Sequence, residues 1–368
     1  MFDRAEALAR QHAHPENDSW GRTLSRYRVL IASGEAIRAR EGLLRDAPRF
    51  PEGLHRDFAL ILAEVALAAT QWTTDGAIPA ATVAQIMERA RAYNWRGITM
   101  LLGPTVARIC SEALRLGIET DFALTLIRDK QLSAPRAYDQ NWPWPVRIHA
   151  LGGLRIVVNG QPLVFGARAQ RKPLDLVKAV VANGPAPVDG AVVLDALWPD
   201  AEGAAARASF DMTVMRLRKM LGRDDALVLD AGRIGFDSAI VWVDAHAFAT
   251  GASETYARPL FGSDAVAPWW AAARERLHQA FIRRTVARGD ELEADQRFSD
   301  ALALYETALA LDSLAEELYQ GAIRCHVAQG RHADALRVFR RCREQLSIVL
   351  SVAPSAATAA LVSSLHRR

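Results

Sequence analysis

Residues 196–222 read ALWPDAEGAAARASFDMTVMRLRKMLG, and the function inferred for the whole chain depends on this stretch. Pro199 and Gly222 favour a helix between them, over about 204–221. Because a helix turns by about 100° per residue, apolar residues three and four apart share one side of it. One narrow apolar stripe predicts the buried side: Phe210, Val214, Leu217 and Leu221. This segment is therefore predicted to be an amphipathic helix with one side in a core.

The opposite face of this helix combines small side chains near its start with cations near its end. It comprises Ala208, Ser209, Met212, Arg216 and Lys219, with Thr213 and Met215 at its margins. A solvated helix normally intersperses Glu with its Lys and Arg for pairing, and no acidic residue lies at the centre of this face. The face therefore suits an approach to polyanionic phosphate, and a plain surface helix with a basic side is the alternative.

Positive charge is concentrated in two segments, although the 368-residue chain has a formal net charge of only +3. Residues 203–223 contain five Lys and Arg residues against Asp211 alone. Residues 168–178 contain four against Asp175 alone. Local clusters of this kind are what nucleic-acid binding requires, so the small net charge does not exclude it.

Strand-like patterns lie on both sides of the helix. Residues 146–165 read VRIHALGGLRIVVNGQPLVF, in which Asn159-Gly160 is a strong hairpin signal. Two further helices are predicted at about 171–183 and 189–197. The strands predicted after the third helix are 226–230, 233–236 and 240–244. The predicted order is β-strands, three helices and a β-hairpin.

The regions before and after this module are predicted to be helical, so the fold class is multidomain and mainly α. Residues 1–140 form either a plain helical domain or a repeat-like array, with breaks at 48–51, 73–79, 103–104 and 117. The linker Asn141-Trp-Pro-Trp-Pro145 cannot be helical, and its tryptophans are expected to pack against a domain.

A 34-residue period appears in the C-terminal region, residues 268–366. RFSDAL at 297–302 is echoed by RHADAL at 331–336, and Tyr305 corresponds to Phe339. This is the period of tetratricopeptide-like repeats, and Ser313 with Glu316 suggests a capping box between them. Because two repeats are fewer than a free-standing array needs, we expect this region to pack on a neighbour, which is either the preceding module or another subunit.

Residues 146–248 resemble the winged helix-turn-helix DNA-binding domain of the OmpR/PhoB class, in the variant found in bacterial SARP-type activators. The third helix of that family ends in R-L-R-K-x-L, and residues 216–221 read RLRKML; VWVDAHAF at 241–248 is also typical. The downstream repeats resemble the bacterial transcriptional activator domain that accompanies this winged helix. With a helical domain in front, the chain resembles the C-terminal part of large multidomain bacterial regulators.

The resemblance implies that the third helix lies in the major groove and that the hairpin, or wing, touches the minor groove. The candidate base contacts are Arg216, Met212, Thr213, Asp211 and Ser209. The candidate phosphate contacts are Arg207, Arg218, Lys219, Arg168, Arg171 and Lys172, with Arg233 on the wing. Two roles stay open for Asp211, a base contact or a partner of a nearby arginine. Arg218 either holds a phosphate or braces the domain.

No motif of enzyme chemistry is present in the sequence. It lacks GxxxxGK[ST], HExxH, GxSxG and CxxC patterns, so neither catalysis nor a cofactor or metal is expected. The longest apolar stretch, 58–69, is too short to span a bilayer, and a cytoplasmic protein is expected. The expected function is a DNA-binding transcriptional activator, with promoter DNA as one partner and RNA polymerase or a second copy of the chain as the other. The alternative is a protein-binding scaffold whose winged helix is structural.

Overall fold

The computed structural model describes residues 19–94, 101–164, 171–201 and 203–363. The chain divides between Trp144 and Pro145 into two compact units. Helices make up most of both units, which agrees with the mainly α class expected from the sequence, and the described strands belong to the second unit. None of the described helices combines the length and the apolar character that crossing a membrane requires.

The first unit consists of helices that pack against one another. They are α1 (Ser19–Ala32), α2 (Ala36–Asp46), α3 (Leu54–Asp75), α4 (Ala80–Ala92), α5 (Gly103–Leu116) and α6 (Thr120–Asp129). Gly76 and Gly117 end α3 and α5 with φ of +69° and +71°, which glycine adopts without a steric cost. α3 forms the centre of this unit, because Ile61, Leu62 and Val65 are fully buried.

Hydrogen bonds connect the tryptophan-containing linker to the first unit. Trp142 and Trp144 are both buried, and the indole nitrogen of Trp144 donates to the Asp139 carbonyl at 2.6 Å. The Ser111 hydroxyl of α5 in turn donates to the Asp139 carboxylate. The expectation that these tryptophans are shielded from solvent is confirmed.

The second unit begins with an α/β module whose elements follow the predicted order. They are β1 (Val146–His149), β2 (Arg155–Val158), β3 (Gln161–Pro162), α7 (Arg171–Ala182), β4 (Val188–Asp189), α8 (Gly190–Leu197), α9 (Gly203–Leu221), β5 (Leu227–Asp230), β6 (Arg233–Phe236) and β7 (Val241–Val243). One sheet has the order β3-β2-β1-β7 and the other has the order β4-β6-β5. β1 is antiparallel to β2 and parallel to β7, so the last strand of the module closes onto the first.

Helices follow the module to the end of the described chain. They are α10 (Asp244–Thr250), α11 (Pro268–Ala294), α12 (Phe298–Leu311), α13 (Glu316–Ala328), α14 (His332–Leu350) and α15 (Ala356–Ser363). The 34-residue period is visible in their contacts. Arg297 pairs with Asp300 at 2.8 Å, and Arg331 pairs with Asp334 at 2.7 Å, at the starts of α12 and α14. Ala301 and Ala335 are both fully buried where neighbouring helices approach.

The predicted capping box at Ser313 is wrong. The residue that precedes α13 is Ala315, which makes no side-chain cap. The Ser313 carbonyl accepts a hydrogen bond from the Tyr319 hydroxyl at 3.0 Å. Glu316 accepts from the backbone nitrogen of Ser355 at 2.7 Å, so this carboxylate fastens α15 rather than capping its own helix.

Helix α11 joins the core of the α/β module to the core of the C-terminal helices, because its first residues belong to the one and its later residues to the other. Trp270 of α11 is buried among residues of β1, α7 and α9. The connector between α10 and α11 adds a backbone hydrogen bond from Phe261 N to Ala150 O at 2.7 Å. Lys178 of α7 pairs with Asp264 of the connector at 2.7 Å. The expectation that the C-terminal repeats pack on a neighbour is therefore met by the module itself.

Candidate nucleic-acid interface

The exposed side of α9 is set by the burial of its apolar stripe. Phe210, Val214, Leu217 and Leu221 are buried, as the helical spacing predicted. Phe210 meets Trp198, which follows α8, edge to face, with the ring centroids 6.4 Å apart. This contact fixes the rotation of α9 about its axis and therefore decides which side chains face solvent.

Arg216 and Lys219 lie on the exposed side of α9, one helical turn apart. Neither makes an ion pair or hydrogen bond with any residue in the described ranges, so both charges are available to an external anion. Met212 is exposed beside them, as predicted, and Met215 is 63% exposed. The sequence predicted that Met215 lies only at the margin of this face, and the structure exposes its side chain more fully than that.

Thr213 does not belong to the exposed side. Its side chain is only 3% exposed, and its hydroxyl donates to the Ser209 carbonyl one turn earlier at 2.7 Å. The expectation that Thr213 lies at the margin of the DNA-facing surface, as a base contact, is therefore wrong. The residue lies next to Phe210 and Val214 on the wheel, and burial of that stripe turns it inward. Ser209 stays partly accessible.

Asp211 pairs with Arg207 within the helix. The Arg207 Nε lies 3.3 Å from the Asp211 carboxylate, and both side chains are more than half exposed. An exposed ion pair at this spacing stabilises a helix by about 0.3–0.5 kcal/mol. Because this is little, either side chain can leave the pair and bind another group. Of the two roles open for Asp211, the structure shows the intrahelical partner.

Arg218 and Lys172 brace the module. The guanidinium of Arg218 donates to the Leu227 carbonyl at 3.2 Å and so ties α9 to β5. The ammonium of Lys172 donates to the Leu197 carbonyl at the end of α8 and lies 5.2 Å from the centroid of the Trp198 ring. Of the two roles open for Arg218, the structure shows the brace. Lys172 contacts a backbone carbonyl of its own domain, and its expected role as a phosphate contact stays a prediction.

The remaining predicted cations lie at two other places. Arg171 is exposed at the first residue of α7, and Arg168 lies outside the described residues. Arg233 is exposed at the first residue of β6, directly after the turn Ala231-Gly232. That turn has φ of +47° and +79°, which is the tight hairpin geometry, and it presents Arg233 at the tip of the predicted wing.

The described residues offer little for other chemistry. They contain no group of His, Cys, Asp and Glu that could hold a metal ion. Burial raises the pKa of Cys110 to about 12, so this thiol is an inert core residue. Burial lowers the pKa of His246 to about 4, and its Nε2 contacts the Val181 carbonyl at 3.0 Å. This neutral histidine joins α10 to α7 and has a structural role.

Comparison with known protein families finds a match, and it lies in the second unit. Residues 239–366 match the family model described as "Bacterial transcriptional activator domain". Over this stretch the chain is therefore similar to a bacterial transcriptional activator domain. The resemblance to regulators of the SARP type is thereby confirmed, because this domain is the one expected beside the winged helix.

The curated relatives that the chain matches are transcriptional regulatory proteins. The transcriptional regulatory protein EmbR of Mycobacterium bovis and that of Mycobacterium tuberculosis are each 27% identical over 247 residues, covering 59% of this chain and 62% of the relative. The chain thus spans less than two thirds of these relatives. A solved structure of Mycobacterium tuberculosis EmbR in complex with a low-affinity phosphopeptide is also similar, at 21% identity and a TM-score of 0.47, covering 61% of this chain and 65% of that one.

The match to the activator domain begins inside the α/β module. Residue 239 precedes β7, so the domain contributes the strand that pairs with β1, with Val241 opposite Val146. The region that matches the family model therefore supplies one strand of the four-stranded sheet, whose buried residues share a core with α9.

We predict that Arg218 and Arg216 differ in their effect on stability. Arg218→Gln should lower the free energy of unfolding by about 1–2 kcal/mol, because it removes the hydrogen bond between α9 and the Leu227 carbonyl. Arg216→Gln, the matched control on the exposed side, should change it by less than about 0.5 kcal/mol. Urea unfolding followed by circular dichroism measures both, and equal losses would show that α9 is not braced as described.

Proposed function

We propose that this chain is a sequence-specific DNA-binding transcriptional activator, and that its α/β module is a winged helix. The observation that carries the proposal is the exposed side of α9, where Arg216 and Lys219 have no partner in the described part of the chain. Unpaired cations on a helix set on a rigid core suit a polyanionic groove about 12 Å wide. The activator domain and the regulator relatives support the same conclusion.

In this proposal, α9 enters the major groove with Arg216 at its centre. An arginine grips guanine O6 and N7 with two parallel hydrogen bonds, and the exposed methionines can pack against a thymine methyl. Ser209 and Asp211 border the same side. Lys219, Arg207 and Arg171 would hold phosphates, with Arg233 on the wing and Arg168 before α7 as further cations. Phosphate contacts position the protein and leave the choice of sequence to α9.

A protein-binding scaffold is the second candidate function. The observation that favours it is the outer face of α14, where Arg340 and Arg343 are exposed without partners in the described ranges. Ile348, five residues after Arg343, is exposed as well. The two candidates are compatible if this face contacts RNA polymerase or a second copy of the chain while α9 holds DNA. They diverge if the module binds no DNA at all.

We predict that Arg216 specifies sequence and that Lys219 does not. On a duplex selected from a random library, Arg216→Ala should cost about 1–3 kcal/mol of specific affinity and relax one base position. Lys219→Ala should weaken binding to all duplexes similarly and reduce the slope of log affinity against log salt by about one. Fluorescence anisotropy across a salt series measures both quantities.

The control for this experiment is Arg128→Ala, which removes an exposed arginine of α6 in the first unit and should leave DNA binding unchanged. If no duplex is enriched, or if Arg216→Ala and Lys219→Ala bind like the unmodified chain, α9 is not a recognition helix and the scaffold function replaces the proposal.

We also predict that the outer face of α14 is needed for activation and not for DNA binding. Arg343→Glu should lower the output of a promoter reporter several-fold, because it reverses charge on the proposed contact face, while DNA affinity stays unchanged. Arg283→Glu makes the same charge change on the exposed side of α11 and serves as the control. Full activation by Arg343→Glu would show that this face is not needed for activation.

Truncation after Pro268 is a poorer test of the C-terminal helices, because it deletes Trp270 from the core of the module.

A further inference from the structure

The first unit contains a cavity that DNA binding does not use. Its volume is about 410 Å³, and it lies among the turn between α1 and α2, the C-terminal half of α3 and the start of α5. This volume falls within the range of about 300–1,000 Å³ that is typical of small-molecule sites. The cavity is therefore large enough for a small organic ligand.

One part of the cavity wall is apolar and open to solvent. Ile31 is buried at the back, whereas Ile37 is 62% exposed and Leu101 is 56% exposed. Large apolar side chains left in water beside a cavity lose the stabilisation that burial would give them. A ligand with an apolar body would recover it.

The opposite part of the wall carries a single charge. Arg108 of α5 is the only charged residue among those described as lining the cavity. Its guanidinium lies 5.5 Å from the centroid of the Trp72 ring, and it makes no ion pair or hydrogen bond within the described ranges. A half-buried arginine is normally paired with a carboxylate or phosphate. Here the partner is missing from the described residues of the protein.

A hydroxyl lies on the same side of α5 as this arginine. Thr105 precedes Arg108 by about one helical turn and also lines the cavity. It is only 8% exposed, and its hydroxyl has no hydrogen-bond partner in the part of the chain that the structure describes. By contrast, Thr70 and Thr73 across the cavity already donate to the Ala66 and Ala69 carbonyls, at 3.1 and 2.9 Å.

We propose that this cavity binds a small organic acid. The carboxylate would contact the Arg108 guanidinium and the Thr105 hydroxyl, which have no hydrogen-bond partner among the described residues. The apolar body of the acid would lie against Ile31, Ile37 and Leu101. A neutral ligand of the same shape would leave the arginine unpaired, so the site discriminates by charge. This binding is independent of the proposed DNA contacts, because every lining residue belongs to the first unit.

The test is calorimetric titration of the full chain with octanoate and with octanamide as its neutral counterpart. Octanoate should bind at least about tenfold more tightly than octanamide. Arg108→Gln should remove this difference, and Thr105→Val should reduce it. Arg128→Gln removes an exposed arginine outside the cavity and should leave both affinities unchanged.

A second variant keeps the test decisive if Arg108→Gln perturbs folding. Ile37→Asp places a negative charge at the exposed rim and should weaken octanoate more than octanamide without unfolding the unit. The proposal is overturned if octanoate does not bind, if the two ligands bind equally, or if Ile37→Asp and Arg128→Gln have the same effect.

Discussion

The second unit depends on one carboxylate at the point where the α/β module passes into the C-terminal helices. Asp244 follows β7 directly and accepts hydrogen bonds from the backbone nitrogens of Ala150 and Leu151, at 2.7 and 3.1 Å. It also accepts one from the nitrogen of Ala245 at 2.6 Å. Burial raises the pKa of Asp244 despite these bonds, which shows how far the carboxylate is withdrawn from water. The contact holds the end of β1 against the start of α10.

From this point the fold extends in two directions. The pairing of β7 with β1 completes the four-stranded sheet, whose buried residues share a core with α7 and α9. In the other direction, α10 leads into the connector and α11. Trp270 then returns to the core of the module, where the Phe261 ring meets it edge to face at 5.1 Å. The surface proposed to read DNA and the surface proposed to contact a partner are thus parts of one packed body, with α9 and α14 fixed relative to each other.

Local spacing in the sequence predicted the elements well, and tertiary contacts account for what it missed. The stripe from Phe210 to Leu221 gave the bounds and buried side of α9 because helical periodicity is a local property. The sequence left Arg218 open between a brace and a phosphate contact, because the brace requires the Leu227 carbonyl nine residues later on another element. The closure of β7 onto β1 joins residues almost a hundred positions apart, and no sequence pattern reports such a pairing. The place of Arg108 in the wall of a cavity likewise becomes visible only when the tertiary structure is known.

The most direct test of this account is whether residues 145–363 unfold as one unit. Native-state hydrogen exchange of the full chain in increasing urea gives the opening free energy of each helix. Because α11 contributes buried residues to both cores, we predict that the protected amides of α7 and α13 converge on the same opening free energy, with the same dependence on urea. If α13 opens at a lower free energy while α7 remains protected, the module and the activator domain are separate folding units and the central claim is wrong.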